Sequence, residues 1–377
     1  MKIAIVRQKY NPNGGAERFI ERALDALGAS EKVGLTVIAR QWQPQPGVRF
    51  VQCDPGYRTS LGRDKSFAAA VSEYLSTRTH EFDIVQSHER IPGIMLYRAG
   101  DGVHATWLEQ RARATPAFRR FAITANPYHR YVLATERAMF AHPGLRAVIC
   151  NSALVQRDIA ARFALDPARL KLIYNGVDLV RFHPRHRSAR AATRAALGVP
   201  DDAPAFLYVG SGFERKGVAR LLRAQSRGAS NTHSVIVGED KHLRRYRELA
   251  TRLGLAERAH FLGARDDLPA LYGAADAFVL PTLYDPMPNA AVEALASGLP
   301  VVTTLQCGAR ELIAEGGNGH IVDALDADGL AATLLALSDI GRAASMSAAA
   351  RASVAHLSPD AMANQLLSLY KTLAPGG

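Results

Sequence analysis

Apolar runs of four or five residues alternate along the chain with longer segments in which apolar positions recur at helical spacing. That alternation predicts strands of parallel sheets joined by crossover helices. In the first half the strands are Lys2–Val6, Leu35–Ala39, Asp83–Ser87, Ala147–Cys150 and Leu170–Tyr174, with helical patterns such as Ala16–Leu27 and Ser66–Thr77 between them. The rhythm lapses over Phe182–Ala205, where Pro184, Pro200, Pro204 and many arginines predict a linker with a short helix. It then restarts. Phe206–Gly210, Ser234–Gly238, Ala259–Leu262, Ala277–Leu280 and Pro300–Thr303 read as strands, and Gly217–Ala224, Leu243–Leu253, Leu268–Ala274 and Asn289–Ser297 as helices. The expected fold is α/β, with two Rossmann-like domains whose parallel sheets face each other across a cleft. In such sheets ligands sit beyond the carboxyl ends of the strands.

Composition is compatible with that reading. The 377 residues are 48% hydrophobic and 21% charged, enough for two cores. No stretch reaches the roughly 18 apolar residues of a membrane span. The start, Met1–Val6, meets Arg7 and Lys9 at once and reads as a buried strand, not a signal peptide. Cys53, Cys150 and Cys307 are few, odd in number and far apart, which predicts a reducing, cytoplasmic setting without a disulfide framework. The formal charge of +11 fits nucleic acid, anionic lipid or a phosphorylated substrate, or simply arginines on solvated helices.

Chemistry concentrates where strands meet helices. Asn13-Gly14-Gly15-Ala16-Glu17-Arg18 follows the first strand; its glycines either let backbone amides approach an anion or make an ordinary turn. Gly210–Gly217 carries Arg215 and Lys216 at an expected helix start, where two cations add to a positive dipole unless an anion relieves them. The alternative is a solvated basic turn. In Pro281–Val302 the carboxylates Asp285 and Glu293 lie eight apart, one before a helix and one inside it, suited to paired sugar hydroxyls. The plainer reading is a capping Asp and a surface Glu.

Together these segments resemble the retaining, two-domain glycosyltransferases of family 4, which have the GT-B architecture. Asn175-Gly176-Val177-Asp178, Arg265-Asp266-Asp267-Leu268 and the Asp285–Val302 run match that family's pattern over the whole chain. Within it the chain is similar to the branch that adds glucose to an inner-core heptose of lipopolysaccharide. Lys9-Tyr10-Asn11-Pro12-Asn13-Gly14-Gly15, Gly210–Gly217 and Tyr97-Arg98-Ala99-Gly100-Asp101 carry this finer likeness, with Gly212 where that branch has Asp.

The resemblance implies an acceptor-binding domain over residues 1–180 and a nucleotide-sugar domain over 181–359, with a helix near 360–377 returning to the first. It implies that Arg215 and Lys216 grip the diphosphate of a donor, expected as UDP-glucose, and that Gly14 and Gly15 contact that donor. Asp285 and the backbone from Met287 through Pro288 to Asn289 would bracket the donor sugar, Glu293 the ribose, and Arg265 the base. Asp101 would lie near the anomeric centre or the acceptor hydroxyl, with Arg215, Lys216 and Asp285 completing the catalytic set. The family usually has Glu where this chain has Asp285, which bears on the donor sugar.

No metal is expected. The one Asp-x-Asp, Asp326-Ala327-Asp328, precedes a predicted helix and reads as a cap, and Arg215, Lys216 and helix-start amides can stabilise the leaving diphosphate. The histidines lack zinc-like spacing, leaving His88 and His104 as candidate cleft residues. Arg111–Arg137 holds six Arg and one Glu interleaved with Phe118, Phe121, Ile123, Tyr128, Tyr131 and Val132. Either this is a solvated helical pair, or Arg111, Arg113, Arg119 and Arg120 meet an anionic membrane surface. The second fits peripheral attachment to the cytoplasmic face of the inner membrane and a lipid-linked, lipopolysaccharide-core acceptor. No nucleic-acid motif is present. Two other functions stay open: transfer of mannose or N-acetylglucosamine in exopolysaccharide assembly, and a catalytically idle sugar-nucleotide binding module.

Overall fold

A computed structural model describes residues 1–8, 33–43, 46–228 and 230–374. The motif at Gly14 and Gly15 and the helical pattern Ala16–Leu27 lie outside the described residues. The chain divides into two compact units, Met1–Gly176 with Pro359–Gly377, and Val177–Ser358. The crossing at Gly176 lies a few residues before the boundary expected at 180.

The first unit is a parallel sheet of seven described strands: β1 Lys2–Val6, β2 Gly34–Ala39, β3 Val48–Gln52, β4 Ile84–Ser87, β5 Leu96–Arg98, β6 Ala147–Cys150 and β7 Leu170–Leu172. Their order is β3-β2-β1-β4-β5-β6-β7. β4 and β6 are buried along their whole length, and β1 beyond Lys2, because helices cover both faces of such a sheet. Three strands lacked that signal. β3 is a half-exposed edge with polar residues inside it, and β5 is three residues ending in the buried Arg98, whose guanidinium donates to Asn175 Oδ1 at 2.5 Å. The third, β13, belongs to the second unit. The helix expected at Ser66 begins at Ser60, where Thr59 caps it by accepting from Gly62 N at 3.0 Å.

The returning helix Pro359–Leu373 completes this unit. Met362, Leu366, Leu369, Tyr370 and Leu373 pack with Ile3, Ile5, Val37 and Ile84 on one face of the sheet, and Tyr370 donates to Gln86 Oε1 at 2.8 Å.

The second unit holds β8 Ala205–Val209, β9 His233–Val237, β10 Ala259–Gly263, β11 Ala277–Val279, β12 Val301–Thr304 and β13 Gly319–Val322. All are parallel, in the order β10-β9-β8-β11-β12-β13. The order reverses between β8 and β11, which makes the crevice beyond their carboxyl ends the natural ligand position. The arginine-rich stretch expected as a linker is a built part of this unit. A 3-10 turn, Pro184–Ala189, and a helix, Arg190–Leu197, pack on helix Leu268–Ala274. Arg194 is buried, paired with Asp276 at 2.7 Å and donating to the carbonyls of Ala203 and Ala274. Charge in the sequence concealed burial because the guanidinium's donors are met inside the protein.

Candidate active site

The second unit assembles its site from three strand ends. Beyond β8 the chain turns through Gly210 and Gly212, both at positive φ, into the single helical turn Phe213–Lys216, then through Gly217 into helix Val218–Gln225. Gly217 has no room for a side chain: a Cβ there would lie 2.1 Å from Pro281 O. The stem of Lys216 crosses Gly210, where a Cβ would fall 2.9 Å from Lys216 Cδ. Arg215 and Lys216 stand in the last turn of a four-residue helix and directly before Gly217, the N-cap of helix Val218–Gln225. The cations expected beside a positive dipole are there, and a carboxylate faces both of them.

That carboxylate is Asp285. Its Oδ2 lies 3.3 Å from Lys216 Nζ and 3.8 Å from Arg215 Nη1. Its backbone is pinned beyond β12: Asp285 N donates to Gln306 O at 3.1 Å and Gly308 N to Asp285 O at 2.8 Å. Arg215 is braced too, its guanidinium donating to Tyr284 O at 2.9 Å and its carbonyl accepting from Leu283 N at 2.9 Å. Asp285 is only 5% exposed, and its Oδ2 accepts no hydrogen bond within the described structure. Burial, with Asp285 adding to it, pushes the neighbouring Cys307 thiol up to about 12, so that thiol is neutral.

Glu293 sits inside helix Asn289–Ala296 and is 2% exposed, so it is no surface residue; Tyr272 donates to its Oε2 at 3.2 Å. No side chain caps that helix at Pro288, and Met287 and Pro288 are buried while Asn289 is partly exposed. Arg265, beyond β10, is exposed and held by its own neighbour Asp267 at 2.6 Å. The structure thus brings Arg215, Lys216 and Asp285 into contact, whereas Arg265 is engaged locally. Asp326 caps helix Ala327–Ala336 by accepting from Gly329 N at 2.8 Å, and Asp328 pairs with Arg227.

In the first unit the polar groups also gather at strand ends. Beyond β1 and β4, Glu89 accepts from Gln8 N at 3.0 Å and from Arg7 Nη1 at 3.2 Å; Asp64 accepts from Tyr128 OH at 3.0 Å. Asp101 is exposed on the turn after β5. His88, expected as a cleft residue, is instead buried, 3.0 Å from Gln86 Nε2, and burial holds its pKa well below the usual value. His104 lies 3.1 Å from His129 Nδ1, and its pKa is lowered to about 3 by burial, then by Arg90 and His129.

The basic aromatic stretch forms three helices, His104–Arg113, Ala117–Thr124 and Pro127–Ala141. Its residues divide. Ile123 and Val132 are core, Phe118 and Phe121 are 80% and 79% exposed beside the exposed Arg119 and Arg120, and Arg111 turns to His129 at 3.3 Å. The aromatic exposure was not separable in sequence, since buried and exposed residues there are equally apolar. No described helix is long and apolar enough to cross a membrane.

Comparison with known proteins agrees with this architecture. Residues 13–181 match the domain described as Glycosyltransferase Family 4, and residues 189–353 the domain described as Glycosyl transferases group 1. The chain is 27% identical over 329 residues to the lipopolysaccharide glucosyltransferase WaaG of Escherichia coli K12, covering 85% of each. A crystal structure of WaaG superposes with a TM-score of 0.84 at 25% identity, covering all of both chains. The lipopolysaccharide core glycosyltransferase LpsE of Rhizobium meliloti is 36% identical over 37% of this chain and 41% of its own. A D-inositol 3-phosphate glycosyltransferase of Corynebacterium urealyticum is 26% identical over 99% of this chain and 96% of its own. With a Family 4 domain followed by a group 1 domain, each on its own parallel sheet, the chain belongs to the GT-B glycosyltransferases of family 4.

Proposed function

We propose that this glycosyltransferase moves a hexose, glucose from UDP-glucose, with retention onto a lipopolysaccharide core or related lipid-linked acceptor, and needs no resident metal. The observation that carries the proposal is the ion-pair contact of Arg215 and Lys216 with a buried Asp285, whose Oδ2 accepts no hydrogen bond among the described residues. That oxygen is met by the two cations alone, and a donor-sugar hydroxyl would add a hydrogen bond to it when the diphosphate draws the cations away. The diphosphate would take the two cations, replacing the metal's electrostatic role. Glu293 would hold the ribose, Met287, Pro288 and Asn289 the sugar, Arg265 the base, and Gly14 and Gly15 the donor from the first domain. In the transfer itself the bond from C1 to the diphosphate oxygen breaks and its electron pair leaves with the diphosphate. The acceptor oxygen bonds C1 from the same face, and its proton passes to a diphosphate oxygen. Asp101 would orient the acceptor hydroxyl.

The relatives WaaG and LpsE, both named for lipopolysaccharide work, support the acceptor class. The inositol-phosphate relative favours a second reading, a different donor and a phosphorylated acceptor on the same machinery. Phe118 and Phe121 beside Arg119 and Arg120 suit an anionic membrane surface, at the cytoplasmic face of the inner membrane.

Purified protein is assayed with a panel of nucleotide sugars and heptose-terminated lipopolysaccharide, with and without EDTA. Glucose transfer from UDP-glucose that survives EDTA is expected. Transfer from another donor, or activity abolished by EDTA and restored by a divalent ion, would overturn the corresponding part. Arg119→Glu with Arg120→Glu is expected to weaken binding to anionic vesicles, and unchanged binding would remove the membrane reading.

A further inference from the structure

The geometry points to Arg90 and Glu136 as positioning residues that hold the turn carrying Asp101; the inference rests on the role proposed above for Asp101. The turn runs from the end of β5 to the start of helix His104–Arg113, and every residue next to Asp101 in it is tied down. Gly100 N donates to Arg98 O at 2.9 Å, and Gly100 O accepts from Asn151 Nδ2 at 3.3 Å. Gly102 stands at φ +69 and donates to Ala99 O at 3.2 Å; its own carbonyl accepts from Arg90 Nη2 at 3.0 Å. Helix His104–Arg113 begins at Val103, which has no side chain to cap it. Its first amide, His104 N, donates instead to Glu136 Oε1 at 2.9 Å, and the same oxygen accepts from Arg90 Nε at 2.8 Å.

One carboxylate from helix Pro127–Ala141 thus satisfies the first amide of helix His104–Arg113 and also locks the arginine that grips the turn. The arrangement is costly. Glu136 is 2% exposed, Arg90 is largely buried, and Glu136 Oε2 accepts no hydrogen bond in the described structure. A Ser or Asp at residue 103 would accept from the amides of Ala105 or Thr106 and leave His104 N to another partner, and burying the ion pair carries a desolvation cost. What the buried pair adds is that the turn and the helix start are held by a single rigid point from another element. Asp101 itself is exposed, as a residue that meets substrate must be. Burial alone would lower the pKa of Arg90; Tyr97, Glu136 and Asp101 around it raise it, which keeps the clamp charged.

A double-mutant cycle on the full chain separates positioning from simple stabilisation. UDP release from UDP-glucose in the presence of heptose-terminated lipopolysaccharide is measured for Glu136→Ala, Glu136→Gln, Asp101→Asn and Asp101→Asn/Glu136→Ala. Glu136→Ala is expected to lower kcat about a hundredfold, the scale of a small misplacement at a reacting centre. The KM for UDP-glucose should stay within about twofold, because the donor is held elsewhere. Glu136→Gln should recover most of the loss, since its amide oxygen still accepts from His104 N. The double variant should be no slower than Asp101→Asn. Losses that multiply in the double variant, or a Glu136→Ala kcat equal to wild type, would overturn the inference. Full turnover by Asp101→Asn would instead overturn the role of Asp101, and the pair would lose its purpose with it. If Glu136→Ala does not fold, Arg90→Lys takes its place in the same cycle with the same expected pattern.

Discussion

Lys216 reaches Asp285 only because residue 210 has no side chain. A Cβ at Gly210 would meet Lys216 Cδ at 2.9 Å and Nζ at 3.0 Å, and the backbone there has φ +153. Gly210→Ala is therefore expected to displace the ammonium and cut kcat/KM about a hundredfold, the scale of a misplaced catalytic group. Steady-state kinetics beside a thermal melt check this, since the melt should move far less than the rate. A different residue sets a pH dependence. Burial, with Arg90 and His129, holds the folded pKa of His104 at about 3, against an ordinary value of about 6.5. Between those values the unfolded chain carries a proton that the folded chain lacks, so stability is present above pH about 6.5 and is lost as pH falls toward 3. His233, lowered to about 4 by burial and then His260, adds the same sign. Tm measured from pH 7 to 4.5 should fall, and His104→Asn should flatten the slope.

At the scale of elements, what was legible in the sequence followed burial on both faces. β1, β4, β6, β9 and β12 stand within a residue or so of the expected apolar runs because all of them, apart from Lys2 at the start of β1, are buried. β3 and β5 were illegible because Arg49 and Arg98 interrupt them, one at a solvated edge and one met internally by Asn175. The site was legible as residue types at strand ends. The contact between Lys216 and Asp285 was not, because it depends on how the loop beyond β12 pins residue 285. Arg90 and Glu136 gave no signal at all, lying 46 residues apart. Helix Pro359–Leu373 offers the clearest element-scale test. Leu366 is fully buried against the sheet of the first unit, so Leu366→Ala should cost about 2–5 kcal/mol. Denaturant unfolding would read it.

At the scale of the molecule, the second unit is bracketed by the first: the chain leaves at Gly176 and returns at Pro359. Each unit has its own sheet and core, and residues 177–358 should fold alone as a cooperative domain. Circular dichroism and a single thermal transition of that fragment test this, and UDP should shift its melt if the donor site is complete within it. The first unit has no such independence, because the second segment of its core is the helix that comes back. Its consequence is temporal. During synthesis the second unit can close as soon as it emerges, while the first lacks the helix that packs on Ile3, Ile5, Val37 and Ile84 until the chain has been made through Leu373. A ribosome that stops early would release a finished second unit joined to an unfinished first one.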